Sequence, residues 1–283
     1  CRKPNLILID NQEIMVEHSH ELKKFTSFVE TFEEKALKYS TLIQHEVAVK
    51  YLLQQGVNKL KEIRASNSKA GGLIVAASVE HAHFIANIMQ TKLKQPVVVV
   101  TYRQPNAKQL IDDFRVGSTP WIISVGMISE GTDIPRLQVC CHLTHIKTEL
   151  YFRQVLGRIL RVTAQCDKQA WLYTFAEPNL LDFAKGIAAE IPEKHVINMK
   201  ASEHPKNKLH KKNQQQKIKT PELNVNDGKC RDKGFLAPQL LLEGATFVCS
   251  QSPTLHDSFS HQNKIHQLGD FREKVIALYQ ARQ

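Results

Sequence analysis

The chain has 283 residues, 42% of them hydrophobic, and 38 Lys and Arg against 28 Asp and Glu, for a formal net charge of +10 at pH 7. That length holds one large domain or two ordinary ones, and the charge favours a polyanionic partner such as nucleic acid over an acidic one. No apolar run approaches the roughly 20 residues that span a bilayer, so no membrane partner is expected, and six cysteines without a C-x-x-C pair read as reduced thiols in a cytoplasmic protein.

The first residue is Cys1, so the sequence reads as a fragment of a longer chain or as a processed product, with no signal peptide at its head. Residues 1–12, CRKPNLILIDNQ, contain an apolar run suited to a strand. From about 30 to 67 the spacing turns helical: Leu42, Ile43, Val47, Tyr51, Leu52, Val57, Leu60 and Ile63 recur at steps near three and four, with Gly56 a candidate break or kink. GGLIVAAS, from Gly71, predicts a buried strand, and VEHAHFIANIMQTKLK predicts an amphipathic helix capped by Ser78. QPVVVVTY is a further strand, its four valines in a row suggesting cover on both faces. NAKQLIDDFRVG predicts a helix ending at Gly117. TPWIISVGM, LQVCCHLT and QAWLYTFA supply three more strands, with a helix from Thr148 to Arg161 between the last two. Short apolar strands alternating with helices predict an α/β fold, a parallel sheet with helices on both faces.

After about residue 190 lysines and glutamines replace the apolar residues, and residues 193–233 are expected to be a basic flexible linker or tail. Residues 234–283 are expected to form a small C-terminal helical segment, from the spacing of Ile265, Leu268, Phe271, Val275, Ile276 and Tyr279. Residues 1–67 are then a lead-in with a helical insertion, and 68–192 the α/β domain.

In a parallel sheet, ligands collect at the carboxyl ends of strands. Three loops there stand out: ASVEHA, where Ser78 opens a helix; the stretch Thr101 to Arg103 after the valines; and SVGMISEGTDIP, with Val125, Gly126, Glu130, Gly131 and Asp133. The helix after them carries QVLGRILR, in which Gln154, Gly157, Arg158 and Arg161 fall at one-turn intervals. An interior glycine disfavours a helix by about 1 kcal/mol against alanine, so Gly157 asks for a reason. Arg158 and Arg161, three apart, are expected on one helical face, either gripping an anion or forming a solvated edge.

SVGMISEGTDIP resembles motif V, and QVLGRILR resembles motif VI (Q-x-x-G-R-x-x-R), of superfamily 2 helicases and related DEAD/DEAH-box-like translocases, with order and spacing fitting over about residues 70–176. The resemblance implies the second of two RecA-like domains in an enzyme that hydrolyses ATP to move along nucleic acid. Arg158 and Arg161 would be the arginine fingers on the γ-phosphate, their planar forks permanently charged. Gln154, Glu130, Gly131 and Asp133 would line the nucleotide site, Asp133 accepting from ribose hydroxyls, and Gly157 would admit a neighbouring backbone. Ser78, Thr101, Arg103, Val125 and Gly126 would face nucleic acid, with DNA favoured over RNA.

No G-x-x-x-x-G-K-[ST] loop and no Asp-Glu dipeptide occur. ATP and Mg²⁺ would therefore be held mainly by the N-terminal RecA-like domain of the same protein, and this chain alone would be inactive. The alternatives are a non-catalytic nucleic-acid- or protein-binding scaffold, and the motor subunit of a restriction or remodelling complex. The paired histidines (His18 with His20, His81 with His83) and the set Cys249, His256, His261 and His266 lack zinc spacing and are read as structural or solvated. Asp112 and Asp113 are adjacent on a helix and do not face each other, so they read as surface charge.

Overall fold

The computed structural model describes residues 1–18, 21–126, 133–161, 169–190, 198–200 and 264–278. The chain divides into two compact units, Cys1–Glu203 with His261–Gln283, and His204–Ser260; all the described residues belong to the first.

The chain opens with three strands, β1 (Lys3–Asn11), β2 (Ile14–His18) and β3 (Glu21–Phe25), and three helices, α1 (Phe28–Glu33), α2 (Tyr39–Leu42) and α3 (Glu46–Ser66). The α/β portion follows: β4 (Gly71–Ala76), α4 (Val79–Asn87) continued by a π-helical turn at Ile88–Lys92, β5 (Val97–Val100), α5 (Ala107–Val116), β6 (Trp121–Ser124), β7 (Leu137–Leu143), α6 (Glu149–Ile159), β8 (Gln169–Phe175) and α7 (Pro178–Ala189). Three strands close the series, β9 (Asn198–Lys200), β10 (Lys264–Leu268) and β11 (Phe271–Ala277).

Eight strands form one sheet in the order β5-β6-β4-β7-β8-β1-β11-β9. From β5 to β1 the neighbours run parallel, and β11 and β9 are added antiparallel. Central strands β4 and β7 are buried along their whole length, as continuous apolar runs require. Consecutive residues of a strand face opposite ways. On β7, Val139 and Cys141 meet α3 at Gly56, while His142 meets Phe152 of α6 edge-on at 5.5 Å. The two helices therefore cover opposite faces, which gives the layered α/β class expected from the sequence.

Three expectations change and one gains detail. The valines of β5 form the edge strand, three of them only half-buried, because β5 has a neighbour on one side. Gly56 does not break α3; a Cβ there would stand 2.6 Å from Cys141 Sγ and 3.4 Å from Trp121, so glycine lets the helix lie close on the sheet. Between the expected opening strand and the expected helical stretch, which begins at Phe28, lie two further strands, β2 and β3. The C-terminal segment is not helical where it is described: Lys264–Leu268 and Phe271–Ala277 are strands.

That last change has a clear cause. Short apolar runs fit either period, and the open edge of β1 supplies backbone partners that a lone helix would lack. Strand β11 takes that edge in antiparallel register, Ile9 opposite Glu273, while β10 pairs with β2 in a second sheet of order β10-β2-β3. Where the paired ribbon passes from one sheet to the other, Gln12 N donates to Asp270 O at 2.9 Å and Gly269 N donates to Glu13 O. A Cβ on Gly269 would lie 2.5 Å from that same oxygen, so only glycine permits the crossing. The expected basic linker lies outside the described residues apart from β9.

Candidate functional site

Helix α6 starts where Thr148 Oγ1 accepts from Tyr151 N at 3.4 Å, with Glu149 suitably acidic in the first turn. Phe152, Val155, Leu156 and Ile159 are its buried stripe. Arg153 fixes the outer side by bonding Glu149 at 2.8 Å and both carboxylate oxygens of Glu190, at 2.6 and 2.8 Å. These bonds hold the Arg153 guanidinium charged and depress the Glu190 carboxyl.

The helix ends at Ile159, two residues short of the sequence expectation. Its C-terminus is taken over by the start of the chain. Arg2 N donates to Leu160 O at 2.7 Å, and the Arg2 guanidinium, 2% exposed, donates to Ile159 O at 3.1 Å, Leu137 O at 2.5 Å and Pro135 O at 3.1 Å. A buried cation is tolerated there because carbonyl oxygens satisfy its fork and the negative helix end attracts it.

Arg158 and Arg161 therefore do not share a helical face. Arg161 lies beyond the helix and pairs with Asp133, Nη1 to Oδ1 at 2.5 Å. Asp133 is held in turn through its carbonyl, which accepts from Arg115 Nε at 2.6 Å. Asp133 stands just before β7, and Arg161 between α6 and β8, so the pair occupies the amino-terminal edge of the parallel sheet. Arg158, still within α6, borders a small cavity of about 10 Å³ with Ser124, Gly126, Tyr151 and Val155. One sequence motif thus sends its two guanidiniums to different surroundings.

Gly157 has no neighbouring backbone of the kind expected among the described residues. It is exposed, and a Cβ built on it would meet nothing within 4 Å. Gln154 is half-buried one turn before Arg158. Glu130 and Gly131 lie outside the described residues.

The loops proposed to touch nucleic acid do converge on one edge, since β4, β5 and β6 are parallel neighbours whose carboxyl ends lie together. Ser78 accepts from His81 N at 3.1 Å as the N-cap of α4. Arg103 is exposed and bonds Glu80, on the first turn of α4, at 3.3 Å, beside an exposed Tyr102. Thr101 and Val125 are buried, and Val125 N donates to Val100 O at 3.3 Å. Gly126 has φ +70°, a left-handed conformation that suits glycine, and no described residue comes within 4 Å of a Cβ built on it.

His81 behaves as the structural reading expected: Nδ1 accepts from Ala77 N at 3.1 Å and Nε2 meets Ile43 O at 2.8 Å, while burial lowers its pKa. Among the described residues no group of three or more His, Cys, Asp or Glu could hold a metal ion, and no helix is long and apolar enough to cross a membrane.

Three arginines were missed by the sequence reading: Arg2, Arg115 and Arg136. Arg136 is 8% exposed and donates to the carbonyls of Lys69, Phe114 and Thr119 at 2.8 to 3.0 Å, tying loops at the amino ends of β4, β6 and β7. Burial pushes its pKa down to about 10, with Arg64 adding to the effect. Arg2 and Arg136 sit in no periodic pattern, and Arg115, on the predicted helix that ends at Gly117, looks like any exposed helix charge, so nothing local marks them.

Residues 55–163 match the family described as the helicase conserved C-terminal domain. An uncharacterised protein of Mycobacterium tuberculosis, Rv2917, is 33% identical over 139 residues, covering 49% of this chain and 23% of its own length. The uncharacterised protein ML1624 of Mycobacterium leprae is 31% identical over 151 residues, covering 53% and 25%. The chain thus spans about a quarter of the length of these relatives. Among solved structures, domain 2 of the DEAD-box helicase Mss116p bound to an RNA duplex aligns with a TM-score of 0.39 at 16% identity, over 54% of this chain and 56% of that one. The C-terminal domain of the DEAD-box protein Dbp5 aligns with a TM-score of 0.36 at 16% identity, over 47% and 78%.

Proposed function

We propose that this chain, whose residues 55–163 match the helicase conserved C-terminal domain, supplies the C-terminal half of an ATP-dependent nucleic-acid helicase or translocase. The observation that carries the reading beyond the family is the outer side of α6. An interior helical glycine, exposed and with room for a methyl group, is unfavourable by about 1 kcal/mol against alanine and meets nothing among the described residues that calls for it. Seating of another domain against Gly157, beside Gln154 and Arg158, gives that glycine its reason.

In this reading Arg158 and Arg161 stabilise charge on the phosphoryl group being transferred. Arg161 suits that role because it is 41% exposed and already holds one carboxylate oxygen, a site that a phosphate oxygen can take. Asp133, once released from Arg161, is free to accept from ribose hydroxyls. ATP would supply the phosphoanhydride, and its Mg²⁺ would be held mainly by the N-terminal domain of the same protein.

The nucleic-acid track is the carboxyl edge, where Arg103 offers an exposed guanidinium, Ser78 opens helix α4 and Gly126 follows β6, while Thr101 and Val125 are buried with their amides bonded within the chain. The proposal extends to DNA and RNA alike, and the expected preference for DNA has no support. A cytoplasmic location belongs to the same proposal and rests on free Cys140 and Cys141.

The test is steady-state ATP hydrolysis by the full-length protein and by this chain, with and without single-stranded DNA or RNA. The full-length protein is expected to turn over and to be stimulated by nucleic acid, and this chain to be inactive. A full-length protein that binds nucleic acid and never hydrolyses ATP would be a scaffold, and the motor reading would be wrong.

A further inference from the structure

The Arg161–Asp133 pair joins two segments that come from opposite sides of a long loop and a helix, and nothing in their own sequence fixes how far apart they stand. Asp133 is two residues before Pro135, and Arg161 is two residues after Ile159. Pro135, Leu137 and Ile159 are the residues whose carbonyls accept from the Arg2 guanidinium, and Leu160 O accepts from its main-chain nitrogen. One buried side chain therefore spans the gap immediately behind the pair.

The division of the fork matters. Arg2 Nη1 serves both segments, Leu137 on β7 and Ile159 on α6, while Nη2 holds Pro135. A lysine ammonium can point three donors from a single atom but cannot spread them across a planar fork. The strand that Arg2 precedes is itself locked in place, β1 lying between β8 and β11. Arg2 thus transmits the position of the sheet to the last turn of α6 and to the lead-in of β7.

We infer that Arg2 is a positioning residue for the catalytic arginine, setting where Arg161 stands relative to Asp133 and hence where it is released toward phosphate. The inference rests on the helicase reading for its consequence in turnover, and on geometry alone for its consequence at the pair.

Two measurements separate these. In the full-length protein, Arg2→Gln should lower kcat for nucleic-acid-stimulated ATP hydrolysis by about tenfold or more, with KM for ATP within about twofold, because misplacement by an ångström already has effects of that size. Arg2→Lys should recover part of the loss. In an Arg161→Ala background, Arg2→Gln should lower kcat by less than about twofold further, since a residue acting through another loses its effect when that other is gone. A merely structural Arg2 would instead reduce turnover equally in both backgrounds, and that result would overturn the inference, as would an unchanged kcat.

The second measurement needs no turnover. In side-chain ¹⁵N spectra of this chain, the Arg161 guanidinium signal, identified by its loss in Arg161→Ala, should shift in Asp133→Asn and shift likewise in Arg2→Gln. If Arg2→Gln does not fold, Arg2→Lys is read in the same way. No shift overturns the positioning role, whereas a shift in a protein whose full-length form hydrolyses no ATP overturns the helicase reading and leaves the positioning role intact.

Discussion

Replacing Asp133 with alanine tests whether the Arg161 pair is a structural bond or a parking place. The side chains are 62% and 41% exposed, and exposed ion pairs contribute about 0.2–1 kcal/mol. The D133A substitution should therefore lower the stability of this chain by less than about 1 kcal/mol, and a double-mutant cycle with R161A should return a coupling of about 0.5 kcal/mol that shrinks with salt. Loss of a phosphate-binding arginine finger is a far larger effect, about 10³–10⁵ in kcat, or about 4–7 kcal/mol of barrier. A bond worth a tenth of that can be exchanged for phosphate during each turnover. Urea melts of this chain give the first pair of numbers, and ATP hydrolysis by the full-length protein gives the second. A coupling above about 2 kcal/mol would make the pair a fixed structural element, and an R161A protein retaining kcat within about tenfold of its parent would remove the finger assignment.

Gly157→Ala should raise the unfolding midpoint of this chain, by up to about 1 kcal/mol in stability, yet reduce turnover in the full-length protein where the added methyl meets the docking domain; unchanged turnover would dispose of that face. Gly56→Ala should do the reverse, destabilising by about 1–2 kcal/mol despite better helix propensity, because its Cβ collides with Cys141 Sγ, and Cys141→Ala should restore part of the loss in a denaturant melt. His142 is fully buried with neither ring nitrogen hydrogen-bonded, and burial pushes its pKa down to about 4 from 6.5. The unfolded chain thus takes up the proton first, so stability holds above pH 6.5, falls between 6.5 and 4, and levels off below. His142→Leu should flatten that decline, leaving the smaller share due to His45 and His81, whose pKa values burial also lowers; melts at pH 7, 5 and 4 would refute this by showing parallel slopes.

The central strands were readable because a strand covered by helices on both faces must be apolar throughout, and GGLIVA and LQVCCHL can be little else. The helix–strand alternation then implied parallel pairing, with crossovers too long for hairpins. What resisted reading was whatever depended on a partner far along the chain. Phe271–Ala277 pairs with Leu6–Asn11, and no pattern inside FREKVIA announces that a free edge will be waiting more than 250 residues earlier. The same holds for Gly56, whose demand comes from Cys141 and Trp121 on the sheet and not from its own helix.

At the site, spacing found the residues and misjudged their arrangement. Q-x-x-G-R-x-x-R placed Gln154, Gly157, Arg158 and Arg161 on one helix, and three-residue spacing put both guanidiniums on one face. That inference holds only while the helix lasts, and α6 stops at Ile159, where the Arg2 guanidinium takes the Ile159 carbonyl and the Arg2 main-chain N–H takes that of Leu160. The two arginines are consequently under separate control. Arg158 lies on α6 beside Ser124 and Gly126, while Arg161 pairs with Asp133, whose carbonyl accepts from Arg115 on α5.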